Sequence, residues 1–348
     1  MPGVIVALIG AGNIGSLHAA SLAGEDAVEQ LLIADADPAR ARTLAERVGG
    51  RAVTPAEAFA SAPDAVVIAA ATDAHGALVR RCIELGIAAF CEKPLSAGVD
   101  ESVALVELAE AVGASPVQVG FMRRFDPALI ALRERYRSGA LGRVHVVRVA
   151  SHDHEPPSEE YAARSGGIFR DQLIHDFDMV RWVSGSEVEW VYAAGAIHTL
   201  EFLAALGDVD TCALTLGLAG GELVALTGSR EDGRGEDVRI EAIGSADSAS
   251  AGFNARTPLL LLDPLGVSAG HQPYGGAFDR FAAAYAAEIA HFLELAQGRA
   301  ENPCPPRDAL ATLLVAVAAE RSLASDARVR VQRADELLSR GGARETSA

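Results

Sequence analysis

Asp171 and His175 are the residues whose types and spacing are best suited to proton transfer. Four positions apart on one α-helix, their side chains share a face, with Cβ atoms about 5–6 Å apart. The carboxylate can then accept a proton from one imidazole nitrogen and leave the other as a base near neutral pH. The alternative is a structural pair, in which His175 packs or caps the helix. The surrounding stretch predicts one amphipathic helix, with apolar anchors at Leu173, Phe177, Val180 and Trp182.

Lys93 is the second chemical candidate. It follows an apolar run in Cys91-Glu92-Lys93-Pro94 and is the only lysine in the chain. Strand ends in a doubly wound sheet face the ligand crevice, where an ammonium can stabilise a developing alkoxide. A lysine on a surface loop is the alternative. A solitary lysine at a strand end favours the functional interpretation.

A glycine-rich turn follows the first predicted strand and opens a helix. Glycines there permit a tight turn and bring a pyrophosphate close to the helix N-terminus, where free N–H groups favour anions. The second strand ends at Asp35, whose carboxylate can bond both hydroxyls of an adenosine ribose and repels a 2′-phosphate. These features predict a dinucleotide site that prefers NAD to NADP, against a cofactor-free α/β domain. The turn consists of Gly10, Ala11, Gly12, Asn13, Ile14 and Gly15.

The elements that position these residues fall into two patterns. Residues 1–122 alternate strands and helices, which predicts a parallel sheet with right-handed crossovers. The predicted strands are Val4–Ile9, Gln30–Ala34, Ala65–Ala70, Ala88–Cys91 and Val117–Gly120, and the predicted helices are His18–Ala23, Pro38–Val48, His75–Leu85 and Glu101–Val112.

Residues 123–338 follow a different pattern, and residues 339–348 are predicted to be a disordered tail. Strands joined by short turns favour an antiparallel sheet. The predicted strands are Arg143–Ser151, Val188–Ile197, Thr211–Ala219, Glu222–Ser229, Val238–Ile243 and Leu259–Leu262, with helices at Pro127–Arg137, Phe278–Gln297 and Arg307–Ser325.

The composition of the chain limits which partners it can bind. A chain of 348 residues favours two domains. Its formal net charge of −17 argues against a nucleic-acid backbone or an anionic membrane as partner. No segment approaches the roughly 20 apolar residues of a membrane span. The four cysteines lack disulfide or metal-site spacing, so we predict no metal site and a reducing, cytoplasmic location.

Four fragments together resemble the glucose–fructose oxidoreductase/inositol dehydrogenase family, most nearly its inositol 2-dehydrogenase branch. The resemblance spans residue 4 to about 325. It implies an N-terminal Rossmann domain and a C-terminal α+β domain with a large, mostly antiparallel open sheet. The fragments are 10–15, 92–94, 120–127 and 166–179.

The resemblance also implies a catalytic trio of Lys93, Asp171 and His175. His175 is expected to take the substrate hydroxyl proton, while Lys93 holds the oxygen during hydride transfer to the nicotinamide. Asp171 is expected to orient His175 and stabilise its charged form.

The resemblance also implies cofactor contacts in the segments that follow two strands of the first domain. Thr72, Asp73 and His75 are expected beside the nicotinamide half of NAD, and Glu92 is expected to contact the nicotinamide ribose. Helix capping is the alternative for Asp73 and His75.

The substrate residues expected from the resemblance are Arg124, Asp153, Tyr161, Asp178 and Arg234. Alternatively, Arg124 pairs with Asp126, and Tyr161 only packs. The inositol branch tends to carry aromatic residues near 234 and 236, where this sequence has Arg234 and Glu236. This departure leaves myo-inositol, another cyclitol, a sugar, or an amino- or acid-bearing derivative open as substrate.

The sequence therefore predicts an NAD-dependent dehydrogenase that oxidises a secondary hydroxyl of a cyclitol or sugar to a ketone. The family resemblance suggests a homodimer or homotetramer. The alternatives are an NADP-linked aldose oxidoreductase, a lyase- or hydrolase-like enzyme that uses bound NAD transiently, and a non-catalytic protein that senses a dinucleotide or sugar.

Overall fold

The computed structural model describes residues 3–113, 116–260, 262 and 272–345, with side chains up to residue 339. The chain divides into two units. The first comprises Met1–Met122, Tyr285–Ala311 and Ala334–Ala348, and the second comprises Arg123–Ala284 and Thr312–Arg333. The sequence assigned everything from 123 to 338 to one domain, whereas two later stretches return to the first unit.

The first unit carries a six-stranded parallel sheet in the order β3-β2-β1-β4-β5-β6. The predicted α/β alternation is confirmed. Its elements are β1 (Val4–Ile9), α1 (Asn13–Ala23), β2 (Val28–Ala34), α2 (Pro38–Val48), β3 (Arg51–Val53), α3 (Pro55–Ala60), β4 (Ala65–Ile68), α4 (Thr72–Leu85), β5 (Ala88–Glu92), α5 (Val99–Val112) and β6 (Val117–Gly120).

Two short elements of this unit were not predicted. Strand β3 has only three residues, too few for an apolar pattern to show. Helix α3 begins at a capping box, in which Thr54 and Glu57 bond each other's backbone N–H groups and Pro55 occupies the first turn. That start signal was present in the sequence, but the helix lacks a long amphipathic repeat.

The second unit carries a seven-stranded sheet in the order β12-β11-β7-β10-β9-β8-β13. Among the described strands every neighbouring pair is antiparallel except β7 with β10, so the predicted mostly antiparallel sheet is confirmed. After a 3₁₀ turn at Met122–Phe125, its first elements are α6 (Pro127–Arg137), β7 (Val144–His152), α7 (Glu159–Ser165), α8 (Ile168–Asp171), α9 (Ile174–Ser184) and β8 (Val188–Ala196).

The chain then completes this sheet and ends in helices. Helix α12 continues from the second unit into the first, and α13 runs from the first into the second. The remaining elements are α10 (Leu203–Leu206), β9 (Thr211–Leu218), β10 (Leu223–Ser229), β11 (Asp237–Gly244), β12 (Ser248–Ala251), α11 (Ala277–Arg280), α12 (Ala282–Ala296), α13 (Pro306–Ser325), β13 (Val329–Arg330) and α14 (Ala334–Glu345).

Two predictions for this half of the sequence are wrong. Residues 259, 260 and 262 form no strand, and residue 261 lies outside the described residues. Leu260 and Leu262 are exposed, so the apolar run there has no sheet to bury it. The tail expected to be disordered from 339 is helical as far as Glu345, as part of α14. The two short strands β12 and β13 were also not predicted.

The core of the first unit explains why a later segment returns to it. Leu8 and Phe90 from the sheet pack in one buried cluster with Ile289 and Phe292 from α12. The rings of Phe90 and Phe292 lie 5.7 Å apart. Burying each such side chain contributes roughly 1.5–3 kcal/mol, which fixes α12 on the sheet face beside the end of β5.

Candidate active site

The glycine turn, residues 10–15, is shaped by close backbone approach. Gly10 has φ +112°, and a Cβ on Gly15 would lie 1.9 Å from the carbonyl oxygen of Gly10. A Cβ on Gly12, in contrast, would meet no described atom within 4 Å. Helix α1 then starts at Asn13 without a side-chain cap or an acidic residue in its first turn, as far as the described residues show. Its first N–H groups are therefore available to an anion.

Asp35 is fixed beside this turn. One carboxylate oxygen accepts from the backbone N–H of Ala11 at 2.6 Å, and the other accepts from the N–H of Asp37 at 2.8 Å. The second strand thus delivers a half-buried carboxylate against the glycine turn. An open helix N-terminus, an unobstructed Gly12 and a positioned carboxylate together fit the pyrophosphate and adenosine ribose of NAD.

Glu92 and Lys93 lie where β5 ends. His18 on α1 is fully buried, and its Nε2 lies 2.7 Å from Oε1 of Glu92. The other carboxylate oxygen of Glu92 accepts from the backbone N–H of Lys93 at 3.1 Å. Glu92 therefore ties the main chain of half-buried Lys93 to α1. No pattern in the sequence pointed to His18, since its partner is 74 positions away.

The start of α4 holds the other predicted cofactor residues. Its N-cap is Ala71 and carries no side-chain cap within the described part of the chain, so the capping alternative for Asp73 and His75 is wrong. The imidazole of buried His75 spans two carbonyl oxygens, that of Pro94 at 2.8 Å from Nδ1 and that of Ala70 at 3.1 Å from Nε2. His75 thus connects α4 to the loop after Lys93. Thr72 is half-buried and Asp73 is exposed at the same helix start.

Asp171 and His175 lie in the second unit, on two helices instead of the predicted one. Asp171 ends α8 and His175 is the second residue of α9. Between them, the N–H of Leu173 bonds the carbonyl of Ile168, five residues back, which widens the turn. The Tyr161 hydroxyl donates to one carboxylate oxygen of Asp171 at 2.7 Å. Burial and the Asp171 charge raise the pKa of Tyr161, so it remains a donor.

Arg230 anchors the other side of Asp171. Its guanidinium is 1% exposed, with Nη1 3.6 Å from Asp171 and Nη2 3.0 Å from Asp208. Asp208 also accepts from the backbone N–H of Ile168, at the first residue of α8. One buried arginine therefore connects the carboxylates at the two ends of α8.

Further ionisable side chains surround this pair. Glu236 accepts a hydrogen bond from the backbone N–H of His154 at 3.1 Å. His154 is the residue that follows Asp153 in the chain. Burial, with the charges of Glu236 and Asp171, raises the pKa of Asp153 to about 8, and burial also raises the pKa of Glu236. We call these side chains the charged cluster: Arg123, Asp153, Asp171, Asp176, Arg230 and Glu236.

Asp176 is the most deeply buried carboxylate of the charged cluster. It is fully buried and pairs with Arg123 at 2.5 Å. Burial raises the pKa of Asp176, and the charge of Arg123 opposes that shift. The guanidinium of Arg123 also lies over the ring of Phe281 at 5.3 Å, which holds it in place.

Arg124 and Arg234, both predicted to contact the substrate, have different surroundings. Arg124 binds Asp178 with two hydrogen bonds of 2.9 and 2.6 Å, and both side chains are buried. Asp126 instead caps α6 and pairs with Arg280 at 2.7 Å, so the alternative Arg124–Asp126 pair is wrong. Arg234 is exposed, and its backbone N–H bonds Asp232. Arg124 is therefore held in a buried bidentate pair, whereas the Arg234 side chain faces solvent.

Comparison with known proteins places the chain among oxidoreductases. Residues 4–121 match the oxidoreductase family model with an NAD-binding Rossmann fold, and residues 129–250 match the GFO/IDH/MocA C-terminal domain. A myo-inositol dehydrogenase of Streptomyces leeuwenhoekii is 39% identical over 92% of this chain and 97% of its own length. The chain belongs to the GFO/IDH/MocA family.

Other relatives agree with this assignment. An inositol 2-dehydrogenase of Rhizobium meliloti is 36% identical over 93% of this chain and 98% of its own length. A solved myo-inositol dehydrogenase of Corynebacterium glutamicum superimposes with a TM-score of 0.85 at 34% identity, covering 95% of this chain and 99% of that one. The predicted family, the Rossmann fold, NAD as cofactor and an oxidoreductase activity are thereby confirmed.

The GFO/IDH/MocA site contains residues to which the sequence assigned no role. Arg230 and Glu236 lie in the segment marked as a departure from the inositol branch, so a signal existed for them. No sequence signal indicated the roles of Asp208 and Arg123, because each pairs with a residue that is distant in the sequence. All four cysteines are buried free thiols. In the described part of the chain, no helix is long and apolar enough to cross a membrane.

Proposed function

We propose that this GFO/IDH/MocA oxidoreductase oxidises a secondary hydroxyl of a cyclitol or sugar to a ketone, with NAD as hydride acceptor. The observation that carries the proposal is the anchoring of the Asp171 carboxylate, four positions before His175. Tyr161 and Arg230 hold one carboxylate oxygen each. A base and its orienting carboxylate are the parts that alcohol oxidation needs from the protein. The names of the relatives at 39% and 36% identity support an inositol-like substrate.

Three residues share the chemistry in this proposal. His175 accepts the hydroxyl proton, Asp171 orients the imidazole and stabilises its protonated form, and the ammonium of Lys93 stabilises the developing alkoxide. NAD, when bound, supplies the acceptor for the hydride that leaves the same carbon. The alcohol thus loses one proton and one hydride, and a carbonyl forms.

The remaining residues position these groups and their ligands. Gly10, Gly12, Asn13, Ile14 and Gly15 hold the pyrophosphate, and Asp35 holds the ribose and disfavours NADP. Thr72, Asp73 and Glu92 serve the nicotinamide half. Asp153 contacts the substrate, whereas Tyr161 positions Asp171. We further propose a cytoplasmic homodimer or homotetramer, in line with the composition and the family resemblance.

The test is NAD reduction across inositol isomers, aldoses and their amino derivatives, with Lys93→Ala as the critical variant. We expect Lys93→Ala to lower kcat by roughly 10²–10⁴ for the best substrate, because the alkoxide loses its cation. NAD binding by calorimetry should be retained. Arg80→Ala, at an exposed position on α4, is the control.

Two results would contradict this proposal. Unchanged turnover of Lys93→Ala removes Lys93 from the chemistry. Tight NAD binding with no turnover across the whole panel instead favours the non-catalytic sensing protein.

A further inference from the structure

The two charges that replace aromatic character at 234 and 236 have different surroundings. Arg234 is exposed to solvent, whereas Glu236 is only 4% exposed. A charge at the surface is screened, while a charge removed from water acts strongly on its neighbours. The departure from the inositol branch therefore introduces a negative charge, and not a positive one, among the buried residues of the site.

The charged cluster has more acidic than basic groups. Four carboxyl groups face two guanidinium groups, and one of these guanidiniums, Arg230, also serves Asp208. Burial raises the pKa of Asp153, Asp176 and Glu236, since removal from water disfavours the charged carboxylate, and neighbouring carboxylates add to the shift of Asp153 and Glu236. A cation that enters beside Asp153 and Glu236 would restore the balance.

Gln172 provides an independent sign of what the site accepts. It follows Asp171 and is 6% exposed. Its amide nitrogen donates to the carbonyls of Ser151 at 3.0 Å and Ser229 at 2.8 Å, the latter also bonded by the N–H of Asp153. Its buried Oε1 has no hydrogen-bond partner among the described residues. Gln172 thus has an unused acceptor on a side chain that shares the Ser229 carbonyl with the N–H of Asp153. A ligand rich in donors suits such an acceptor, and an ammonium has three donors and no acceptor.

We propose that Glu236, with Asp153, selects a cyclitol or sugar that carries an ammonium group over its neutral counterpart. The inference rests on the proposed function and deepens it by naming the substrate class. An acid-bearing substrate is disfavoured, because its carboxylate would meet these acidic groups while the guanidiniums of Arg123 and Arg230 already bind carboxylates.

Binding of such a substrate has a proton signature. Asp153 has a pKa of about 8, raised by burial and by Glu236 and Asp171 and opposed by Arg123 and Arg230. Near pH 7 the ammonium should displace the proton that Asp153 holds, since a nearby cation favours the carboxylate. Calorimetry of the NAD-loaded enzyme in two buffers of different ionisation enthalpy measures this proton release directly.

The decisive experiment compares an inositol with the amino-deoxy-inositol in which one hydroxyl is replaced by an ammonium group. We expect wild type to prefer the amino compound by roughly 10–100-fold in kcat/KM, the range of a partly desolvated charge pair. Glu236→Gln keeps an oxygen that can accept from the N–H of His154, and it should remove most of that preference. Glu231→Gln, at an exposed position of the same loop, is the matched control and should keep the preference.

The outcomes separate this inference from the proposed function. Turnover of both compounds with equal preference in wild type and Glu236→Gln overturns the inference and leaves the dehydrogenase intact. Binding of the amino compound without proton release also counts against it. Absence of turnover for every polyol, with NAD still bound, overturns the proposed function itself. A urea unfolding curve for Glu236→Gln shows whether the variant is folded, and Asp153→Asn provides a second variant for the same comparison.

Discussion

In the glycine turn, close backbone contacts determine the geometry, whereas the charged cluster depends on ion pairs and hydrogen bonds between residues distant in the chain. A Cβ on Gly15 would meet the carbonyl oxygen of Gly10, and a Cβ on Gly10 would meet the backbone of Ala69 and Ala70. Arg123 and Asp176 are 53 positions apart, and His154 and Glu236 are 82 apart. In a site shaped by backbone contacts, the effect of one substitution should not depend on the others. A site built on charge balance should respond as a group, because removing one member leaves the others uncompensated.

The strongest test of this contrast is Arg230→Met. The substitution leaves Asp171 and Asp208 without their buried cation, so we expect the free energy of unfolding to fall by about 3–5 kcal/mol. Urea denaturation measures the loss. Arg164→Met, which breaks an exposed pair with Glu160, should change stability by less than about 1 kcal/mol. Equal effects of the two variants would contradict the role given to charge balance.

Two glycine variants test the local side of the comparison. Gly15→Ala forces a Cβ against the carbonyl of Gly10 and should lower the free energy of unfolding by about 1–3 kcal/mol. Gly12→Ala meets no described atom, so it should cost less than about 1 kcal/mol of stability. In the proposed NAD site, however, its Cβ would take up space that the pyrophosphate needs, so NAD affinity should fall at least about tenfold. Thermal unfolding and NAD titration check both, and an unaltered NAD affinity of Gly12→Ala would place the pyrophosphate elsewhere.

A smaller change is expected in the preference for NAD over NADP. In Asp35→Asn the charge that repels a 2′-phosphate is removed, while the amide oxygen can still accept from Ala11. We expect the ratio of NADP to NAD in kcat/KM to rise about tenfold, which corresponds to ~1.4 kcal/mol. Asp37→Asn, at the N-cap of α2, is the control and should leave the ratio unchanged. If both variants give the same ratio, Asp35 does not contact the ribose.

An effect of similar size is expected in the pH dependence of stability due to Asp153. Its pKa is about 8 in the folded protein, above the ordinary value of 3.8, so the folded chain holds a proton that the unfolded chain has lost between these values. Stability should therefore fall as pH rises from about 4 to 8. Asp153→Asn should be more stable than wild type by about 1–2 kcal/mol at pH 8 and indistinguishable near pH 4.

Unfolding at both pH values measures this difference. Glu236 and Asp171, which raise the pKa of Asp153, and Arg123 and Arg230, which lower it, are left in place by the substitution. Asp26→Asn, at an exposed position, should show no such trend. A difference between Asp153→Asn and wild type that is the same at pH 4 and pH 8 would contradict the raised pKa.

The sequence by itself determined the parallel sheet, the glycine turn, Asp35 and the special position of Lys93. These features depend on short-range patterns: apolar runs of strand length, glycines at fixed offsets and a residue at a strand end. The same reasoning failed for residues 259, 260 and 262, which pair with no strand in the described part of the chain, and for the single helix expected through Asp171 and His175. In the latter case a wide turn at Leu173 separates two helices, and no residue type there signals it.

Only the tertiary structure decided what surrounds the candidate base. Burial and long-range pairing placed Arg124 in an ion pair with Asp178, Tyr161 on Asp171, and Glu236 on the backbone N–H of His154. Each of these assignments depends on which distant carboxylate meets which cation, and on how little water reaches them. Residue types alone do not contain that information, since the free energy of a buried charge is determined by the groups that the fold places around it.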